Sequence, residues 1–258
     1  MDRPILVTGG TGTLGRALVA RLLAGGVSVR VMSRRPRRAD DDRPCEWAVC
    51  DLARGAGLDA ALADVRAVVH CATDLRNDVA ATRRLTEAAR RTGNPHLVYI
   101  SITGIDEVPL PYYRAKLKAE RLIQESGLPW TVLRTTQFHD LVAAFTTVQR
   151  RLPLVFTPRG VRFQPIEVTE VADRLAELAR AAPAGRVPDM AGPEVRDARD
   201  LARATLRAAG LRRRVVPVPL PGKIIRSLRA GANLAPDRAV GTGTFEEYLA
   251  ARARAGQR

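Results

Sequence analysis

The sequence is poor in cysteine, histidine and aromatic residues, and these shortages exclude several classes of protein. Three cysteines and three histidines occur among the 258 residues. The cysteines, Cys45, Cys50 and Cys71, form no C-x-x-C pair and the histidines are dispersed, so we expect neither a disulfide framework nor a metal site. Unpaired thiols are typical of a reducing compartment, which predicts a cytoplasmic protein.

Long apolar runs are also missing. No segment reaches the roughly 18 consecutive apolar residues that a membrane-spanning helix requires, although 46% of the residues are hydrophobic. The first predicted strand begins at Ile5, which leaves no room for a signal peptide. We therefore expect a sizeable buried core and no membrane partner.

Negative charge is scarce relative to positive charge. The chain has 42 lysines and arginines against 27 aspartates and glutamates, a formal net charge of +15, and only 4% of its residues are aromatic. A nucleic-acid-binding surface usually combines basic with aromatic side chains. We therefore predict no nucleic-acid partner, a small-molecule substrate, and a monomer or homodimer whose positive field attracts anionic ligands.

A glycine-rich turn between a strand and a helix is the most informative feature that the chain does contain. Residues 5–7 are continuously apolar, as in a strand buried on both faces, and residues 16–24 form an amphipathic helix. Glycines between them allow a sharp turn, close approach of a pyrophosphate, and anion binding at the helix N-terminus. The residues predicted to bind a dinucleotide here are Gly9, Thr11, Gly12, Thr13, Leu14 and Gly15.

The segment after the second predicted strand distinguishes between the two nicotinamide cofactors. An acidic residue about 20 positions beyond the glycines would bind the adenosine ribose diol. The chain has Ser33, Arg34 and Arg35 there instead, 18 to 20 positions after Gly15. A guanidinium pairs with a 2′-phosphate through two hydrogen bonds, and Ser33 can donate a third. The segment therefore predicts NADPH as cofactor.

Strands and helices alternate through the first half of the chain, which predicts an α/β fold with a doubly wound parallel Rossmann sheet. Asp51 and Leu52 follow the third predicted strand, where an adenine ring would lie; alternatively, Asp51 caps the next helix. The small Ala72 ends the fourth strand and lets a cofactor approach. We predict an NADP(H)-binding domain over residues 1–150 and a small substrate-covering lid over residues 151–258, packed on the same domain.

A tyrosine and a lysine open the helix after the fifth predicted strand. Tyr112 and Lys116 stand at positions i and i+4, and Tyr113 lies three residues before the lysine, so either phenol can share a face with the ammonium. A nearby cation lowers the pKa of a phenol and suits it to acid–base chemistry. Taken alone, the pattern is more typical of two interfacial tyrosines at a helix start beside a salt-bridged lysine.

The order of these features resembles that of the short-chain dehydrogenase/reductase superfamily. The glycine turn, Asp51, Ser101 or Thr103, Tyr112 and Lys116 follow one another as they do in that family. The whole chain is more similar still to its atypical, NmrA-like NAD(P)H-binding branch. The resemblance implies that Tyr112 donates a proton and that Lys116 holds the nicotinamide ribose. It also implies that Ser101 or Thr103 bonds the substrate carbonyl.

Two features depart from the standard members of that family. Tyr112 follows Thr103 by only nine positions, and Asp78 stands where extended members carry an asparagine. NmrA-like relatives often lose the tyrosine and act as cofactor sensors. Because this chain keeps the Y-x-x-x-K spacing, we favour an NADPH-dependent oxidoreductase that reduces a carbonyl or quinone. The alternatives are a non-catalytic NADP(H)-sensing protein and an epimerase or dehydratase that retains its cofactor.

Residues after the sixth predicted strand are the candidates for contacting the substrate. Gln137, Phe138 and His139 open a predicted helix that also carries Leu141 and Phe145. These apolar side chains favour a small, hydrophobic substrate. His139 is either a second acid–base group or an ordinary packed or capping residue.

Overall fold

The computed structural model describes residues 3–74 and 77–255. The chain forms two compact units, each assembled from three segments. The first unit contains the residues up to Ser101, Arg114–Leu133 and Val168–Val187, and the second contains Ile102–Tyr113, Arg134–Glu167 and the residues from Pro188 onward. Residue 150, the predicted boundary, lies within the segment Arg134–Glu167 of the second unit.

A parallel sheet forms the centre of the first unit. Its strands are β1 (Ile5–Thr8), β2 (Val29–Ser33), β3 (Glu46–Val49), β4 (Ala67–His70), β5 (His96–Ile102), β6 (Trp130–Thr135) and β9 (Gly185–Arg186). Their order in the sheet is β3-β2-β1-β4-β5-β6-β9. The order reverses between β1 and β4, and such a reversal opens a ligand crevice at the carboxyl ends of the strands.

Burial on both faces explains the apolar strand sequences. Val7 of β1 pairs with Val31 of β2 on one side and with Val69 of β4 on the other, and all three are fully buried. A polar residue in the middle of these strands would be desolvated without a partner. The doubly wound parallel α/β fold predicted from the sequence is confirmed.

Helices cover this sheet within the first unit. They are α1 (Thr13–Ala24), α2 (Leu58–Leu62), α3 (Asp78–Arg91), α6 (Val168–Arg180) and all but the first residues of α4 (Pro111–Gln124). Helix α1 packs against α6, and α2 packs against α3. Leu6, Val68, Leu85, Leu97 and Ile123 form part of one buried cluster that joins strands to helices.

The second unit combines short strand pairs with helices. Its elements are α5 (His139–Thr147), β7 (Leu154–Pro158), β8 (Arg162–Phe163), β10 (Arg196–Asp197), α7 (Ala198–Ala208), β11 (Arg214–Val218), α8 (Lys223–Arg229), a 3-10 turn (Pro236–Arg238) and α9 (Phe245–Ala255). Strand β7 pairs in parallel with β11, and β8 pairs antiparallel with β10. Helix α7 packs against α5 and α9 around a cluster that includes Val142, Leu201 and Phe245.

Across the described residues, no helix is both long and apolar enough to cross a membrane.

Candidate functional site

The glycine turn joins β1 to α1 in a backbone conformation that favours glycine. Gly9 has a φ of +67°, in the left-handed region that favours glycine. A Cβ on Gly15 would lie 2.1 Å from the carbonyl oxygen of Gly9, so the start of α1 packs directly on the turn. Gly12 precedes α1 and has no side chain to cap it. The N–H groups of the first helical turn, which begins with Thr13 and Leu14, are therefore positioned to bind an anion.

A cavity of about 480 Å³, the strand-end cavity, lies in the first unit beside this turn. The residues around it come from the glycine turn and from the segments that follow β2, β3 and β4. Those predicted to bind a dinucleotide are Gly9, Thr11, Gly12, Ser33, Arg34, Asp51, Leu52 and Ala72. The structure therefore gathers at one place residues that lie up to 63 positions apart in the sequence, from Gly9 to Ala72.

A second recess of about 440 Å³, the arginine recess, shares Thr11, Ser33 and Arg34 with that cavity. Its remaining lining residues are Arg16, Arg35, Pro36, Arg38, Asp41, Arg43 and Trp47. The Asp41 carboxylate accepts a hydrogen bond of 2.8 Å from Nε of Arg43, which holds the pKa of Asp41 below its usual range. Five arginines line the recess against this one carboxylate, so the recess has an excess of positive charge.

Asp51 and Ser33 both keep polar atoms at the strand ends. Oδ1 of Asp51 accepts a hydrogen bond of 2.9 Å from the backbone N–H of Ala53, and its Oδ2 lies 3.8 Å from Nε of Arg54. Asp51 therefore stabilises a turn after β3, and α2 begins later, at Leu58. Oγ of Ser33 accepts from the backbone N–H of Arg35 at 3.2 Å, which leaves its O–H to serve as a donor.

Lys116 lies in the interior of the first unit, beside a backbone carbonyl and an aromatic ring. The residue is 3% exposed. Its Nζ lies 3.4 Å from the carbonyl oxygen of Ile100 and 4.6 Å from the ring centroid of Tyr99. Burial lowers the pKa of Lys116, while the charges of Asp78 and Glu120 act in the opposite direction.

His70 and Cys71 stand beside this lysine at the end of β4. Nδ1 of His70 lies 2.7 Å from Oγ1 of Thr8, and its Nε2 lies 3.3 Å from Oγ1 of Thr82. Burial, followed by the charge of Lys116, lowers the pKa of His70 to about 3, and burial raises the pKa of Cys71 to about 12. Both side chains are therefore neutral at neutral pH.

The hydroxyls of Ser101 and Thr103 already donate to carboxylates. Within the first unit, Oγ of Ser101 donates to Oε2 of Glu120 at 2.7 Å. Within the second unit, Oγ1 of Thr103 donates to Oδ2 of Asp189 at 2.9 Å. Because a hydroxyl has a single proton, the role implied for either residue requires it to exchange this carboxylate for a substrate carbonyl.

The two tyrosines at the start of α4 differ in accessibility. Tyr113 is buried and its hydroxyl accepts a hydrogen bond of 3.3 Å from Nε2 of Gln137. Burial raises the pKa of Tyr113. Tyr112 is partly exposed, and one helical turn separates it from Lys116 along α4. Of the two phenols, Tyr112 is therefore the one that a dissolved molecule can reach.

The residues predicted to contact the substrate occupy different environments within the second unit. Gln137 is buried and bonded to Tyr113, whereas Phe138 is partly exposed and precedes α5. His139 is 1% exposed, its Nε2 lies 3.0 Å from the carbonyl oxygen of Pro165, and its ring centroid lies 5.3 Å from that of Tyr248. These are the contacts of a packed histidine.

Three buried polar residues contribute to these networks and were not singled out as site residues from the sequence. Asp78 lines the strand-end cavity, and Glu120 accepts from Ser101. Fully buried Asn233 donates to Oε1 of Gln137 at 3.4 Å. Glu120 follows Lys116 by four positions, so helical spacing alone could have placed both on one face. Asn233 has no comparable local signal.

Comparison with known proteins identifies the family. The NAD(P)H-binding family pattern matches residues 9–181. A (4-alkanoyl-5-oxo-2,5-dihydrofuran-3-yl)methyl phosphate reductase from Streptomyces griseus is 31% identical over 214 residues, which cover 80% of this chain and 74% of that protein. The photosystem II assembly factor Ycf39 of Trieres chinensis is 27% identical over 65% of this chain, and the match spans 57% of its length.

A solved structure shows the same fold. The NADPH-dependent quinone oxidoreductase QOR2 of Escherichia coli, complexed with NADPH, aligns with a TM-score of 0.83 at 18% identity and covers 96% of this chain and 99% of that chain. The family match and the reductase relative support the predicted assignment to the oxidoreductases. The resemblance predicted from the sequence is confirmed: the chain belongs to the NAD(P)H-binding family and shares its fold with the atypical short-chain dehydrogenase/reductases.

Proposed function

We propose that the protein is an NADPH-dependent reductase that acts on a small hydrophobic carbonyl or quinone, with Tyr112 as the proton donor. We further propose that it works in the cytoplasm as a monomer or homodimer. The observation that carries the proposal is the strand-end cavity, where the glycine turn and the ends of β2, β3 and β4 meet. The reductase name of the Streptomyces griseus relative favours reduction over other uses of such a cavity.

The residues of this cavity fit a dinucleotide. The glycine turn brings backbone N–H groups to the start of α1, where a pyrophosphate would be bound without a side chain in between. Asp51 and Leu52 line the part that follows β3, where they would contact the adenosine end. Ala72 has only a methyl group and leaves room for the nucleotide beside β4.

The arginine recess supports NADPH over NADH. It continues from the cavity through Ser33 and Arg34, and it adds Arg16 and Arg35. A 2′-phosphate would accept hydrogen bonds from Arg34 and from the free O–H of Ser33. NADH carries only an uncharged hydroxyl at this position, so the same residues would contribute little to its affinity.

The chemistry assigned to the protein is a proton transfer that accompanies hydride transfer. A reduced nicotinamide, when bound, supplies the hydride to the carbonyl carbon. Tyr112 would donate the proton to the carbonyl oxygen, which gives an alcohol. A quinone would take up the same hydride and proton and give the hydroquinone once the hydrogen added to the ring carbon has been lost as a proton and the second oxygen has gained one. Leu141 and Phe145 expose 48% and 47% of their surfaces on α5, which favours an apolar substrate.

The cofactor assignment is tested by calorimetry with NADPH and NADH on the parent protein, Arg34→Ala and Arg90→Ala. Arg90 is an exposed residue of α3, so its replacement removes the same charge away from the recess. We expect Arg34→Ala to weaken NADPH binding about 10- to 100-fold, with NADH nearly unchanged, because a charge-assisted pair contributes about 1.5–3 kcal/mol. Equal affinities of the parent for both nucleotides would contradict the assignment.

The catalytic assignment is tested by NADPH consumption with a panel of quinones and carbonyls. We expect Tyr112→Phe to lower kcat by about 10²- to 10⁴-fold with NADPH affinity retained, because it removes only the proton donor. Tyr113→Phe is the matched control and should retain most of the turnover, since that phenol is buried against Gln137. Full activity in Tyr112→Phe would overturn the assignment.

The same experiment separates the two alternative functions. Tight NADPH binding without oxidation by any acceptor would favour a sensing protein. Nucleotide that co-purifies with the protein and shows no net consumption would favour an epimerase or dehydratase.

A further inference from the structure

Most of the net positive charge comes from two segments of the second unit, residues 141–166 and 201–236. They contain four and eight lysines and arginines, respectively, and no aspartate or glutamate. The rest of the chain has 30 basic and 27 acidic residues, so these two segments account for +12 of the formal net charge of +15. All twelve basic residues are exposed. Within the part of the chain that the structure describes, Arg203 alone among them pairs with a carboxylate, that of Asp200 at 3.4 Å.

The pairing of β7 with β11 brings the two segments together. Phe156 of β7 pairs with Val216 of β11. Side chains alternate between the two faces of a strand. Val155 and Val215 occupy the inner face, 0% and 5% exposed, in a cluster with Leu206 of α7. Phe156 and Val216 therefore belong to the opposite, outer face of this strand pair.

That outer face is apolar although solvent reaches it. A sheet with one solvated face normally carries polar side chains there. Phe156 is instead 45% exposed, and Leu220, which follows β11, is 41% exposed. An open groove of about 390 Å³ lies beside them, lined by Phe156, Thr157, Pro158, Val218 and Leu220. Because four of these five residues are apolar, the groove is suited to apolar groups.

Gln149 fixes the segment before β7 to this strand. Its Nε2 donates to the carbonyl oxygen of Phe156 at 3.1 Å, and its Oε1 accepts from the backbone N–H of Phe156 at 3.0 Å. Val148 and Leu152, on either side of Gln149, are 78% and 45% exposed. The two arginines at positions 150–151 lie between them and are exposed as well. Apolar and basic side chains are therefore interspersed on this segment.

Arginines also stand at both ends of β7. At its start, Arg214 of β11 is the register partner of Leu154. At its end, Nε of Arg229 donates to the carbonyl oxygen of Arg159 at 2.8 Å. We call this surface the ribbon face; it consists of residues 148–152, the outer side of β7 and β11, Arg159, Leu220 and Arg229.

A lipid bilayer with negatively charged headgroups fits this combination of side chains. Exposed apolar groups enter the boundary between headgroups and acyl chains, while basic groups beside them contact anionic headgroups. A second copy of the chain would bring one surface of high positive charge against another. A nucleic acid would pair with the arginines but leave Leu152 and Leu220 without an apolar contact.

We propose that the ribbon face attaches the protein reversibly to the surface of an anionic lipid bilayer. The apolar side chains around Phe156 insert at the headgroup level, and the arginines at the two ends of β7 bind the headgroups. Attachment of this kind requires no spanning helix, so the lack of long apolar runs, from which we expected no membrane partner, does not bear on it. The proposal is independent of the reductase activity.

Co-sedimentation of the full-length protein with lipid vesicles tests the attachment. One set of vesicles contains phosphatidylcholine alone, and the other contains about 30% phosphatidylglycerol in phosphatidylcholine. At about 0.1 M NaCl we expect the partition coefficient to be at least about tenfold higher for the anionic vesicles. The measurement needs neither cofactor nor substrate, so it gives an answer even if the protein reduces nothing.

The apolar contribution is measured with the double variant Phe156→Ala and Leu220→Ala. We expect it to weaken partition onto anionic vesicles about three- to tenfold, because it removes apolar area that the bilayer would bury. Val49→Ala is the matched control, because Val49 is a 56% exposed valine of β3 in the first unit, and it should stay within about twofold of the parent. Circular dichroism verifies that the variants are folded.

The charge contribution is measured with the double variant Arg150→Gln and Arg151→Gln. It should weaken partition onto anionic vesicles about tenfold or more, since both guanidinium groups would lie at the headgroups. Arg83→Gln with Arg90→Gln removes the same charge from exposed positions of α3, in the first unit, and should weaken partition less than about threefold.

Several results would overturn the proposal. Equal partition onto both kinds of vesicle, or onto neither, would do so. Unchanged partition of the Phe156→Ala and Leu220→Ala variant would mean that charge alone attracts the protein, and an equal loss in the α3 variant would mean that the charge acts from any surface. Dimerisation in ultracentrifugation that the Phe156→Ala and Leu220→Ala variant abolishes would assign the ribbon face to a second copy. Displacement from vesicles by duplex DNA at equal phosphate concentration would assign it to nucleic acid.

Discussion

Gly15 determines how closely α1 approaches the turn that precedes it. Any side chain there would collide with backbone, because a Cβ would lie 2.1 Å from the oxygen of Gly9 and 2.7 Å from Cα of Gly10. Backbone cannot rotate away as a flexible side chain can, so the turn or the helix start must move. The N–H groups that would bind a pyrophosphate move with it.

We therefore expect Gly15→Ala to abolish or strongly weaken nucleotide binding, by at least about tenfold, and to destabilise the protein by about 1–3 kcal/mol through overpacking. Calorimetric titration with NADPH and urea unfolding measure the two effects. Gly25→Ala is the control, because Gly25 follows α1 with a φ of −84° and a Cβ there would lie 3.4 Å from its nearest neighbour. Parent-like affinity in Gly15→Ala would contradict the proposed position of the pyrophosphate.

His70 makes stability depend on pH. Its pKa is about 3 in the folded protein against an ordinary value of 6.5, so unfolding takes up a proton between these values. The stabilisation is complete above pH 6.5 and decreases as the pH falls toward 3, by about 1.4 kcal/mol per pH unit. Burial is the main cause, because the imidazole is enclosed between Thr8 and Thr82.

We expect the free energy of unfolding to decrease more steeply between pH 6.5 and 5 in the parent than in His70→Asn. Urea unfolding at three pH values in this range measures both slopes, and comparing slopes separates proton uptake from the packing lost in the variant. His96 also has a pKa lowered by burial, but it is present in both proteins and cancels. Parallel slopes would show that His70 is not the responsible group.

At the scale of elements, the first unit could be predicted well because its signals are local. The apolar run of β1, the glycine turn and the amphipathic α1 follow one another within 24 residues, and each has its own sequence pattern. The sequence also predicts a helix that begins at Tyr112, and this helix corresponds to α4. The strands of the parallel sheet follow chain order on each side of the reversal between β1 and β4. The alternation of strands and helices along the sequence was therefore enough to indicate the fold.

The second unit could not be predicted in the same way because its pairings are distant in sequence. Strand β7 pairs with β11, whose residues lie 60 positions further along, as in Leu154 with Arg214. Strands β8 and β10 contain two residues each, too few for any periodicity to show. The buried hydrogen bond between Gln137 and Asn233 spans 96 positions. Such contacts depend on tertiary packing, which no short stretch of sequence records.

Helix α9 contributes the buried side chain of Phe245 to the apolar core of the second unit. This side chain is 2% exposed, belongs to the cluster with Val142 and Leu201, and lies 5.7 Å from the ring of His139 between centroids. Deleting such a side chain leaves a cavity that its neighbours fill only in part.

We expect Phe245→Ala to lower the free energy of unfolding by about 3–5 kcal/mol, measured by guanidinium unfolding. Phe156→Ala is the control, because that phenylalanine is 45% exposed and should cost less than about 1 kcal/mol. Equal losses in the two variants would show that α9 does not stabilise the unit through this residue.

At the scale of the whole molecule, the chain passes repeatedly between its two units. Residues 102–113, residues 134–167 and those from 188 onward belong to one unit, and the segments before and between them belong to the other. A division at one sequence position, such as residue 150, assumes that each unit is continuous in the chain. Local patterns identify helices and strands but do not record which unit each of them joins.

The net charge of +15 has a consequence for the choice between nucleotides. NADPH carries one phosphate more than NADH, and we propose that this group binds at the arginine recess. Salt screens exposed charges strongly, with a Debye length of about 10 Å at 0.1 M and about 3 Å at 1 M.

Raising NaCl from about 0.05 M to about 0.5 M should therefore reduce the preference for NADPH by about three- to tenfold, mostly through weaker NADPH binding. Calorimetry with both nucleotides at several salt concentrations measures this, and Arg34→Ala should show a smaller salt effect on NADPH. A preference that does not change with salt would mean that the 2′-phosphate is not recognised by these arginines.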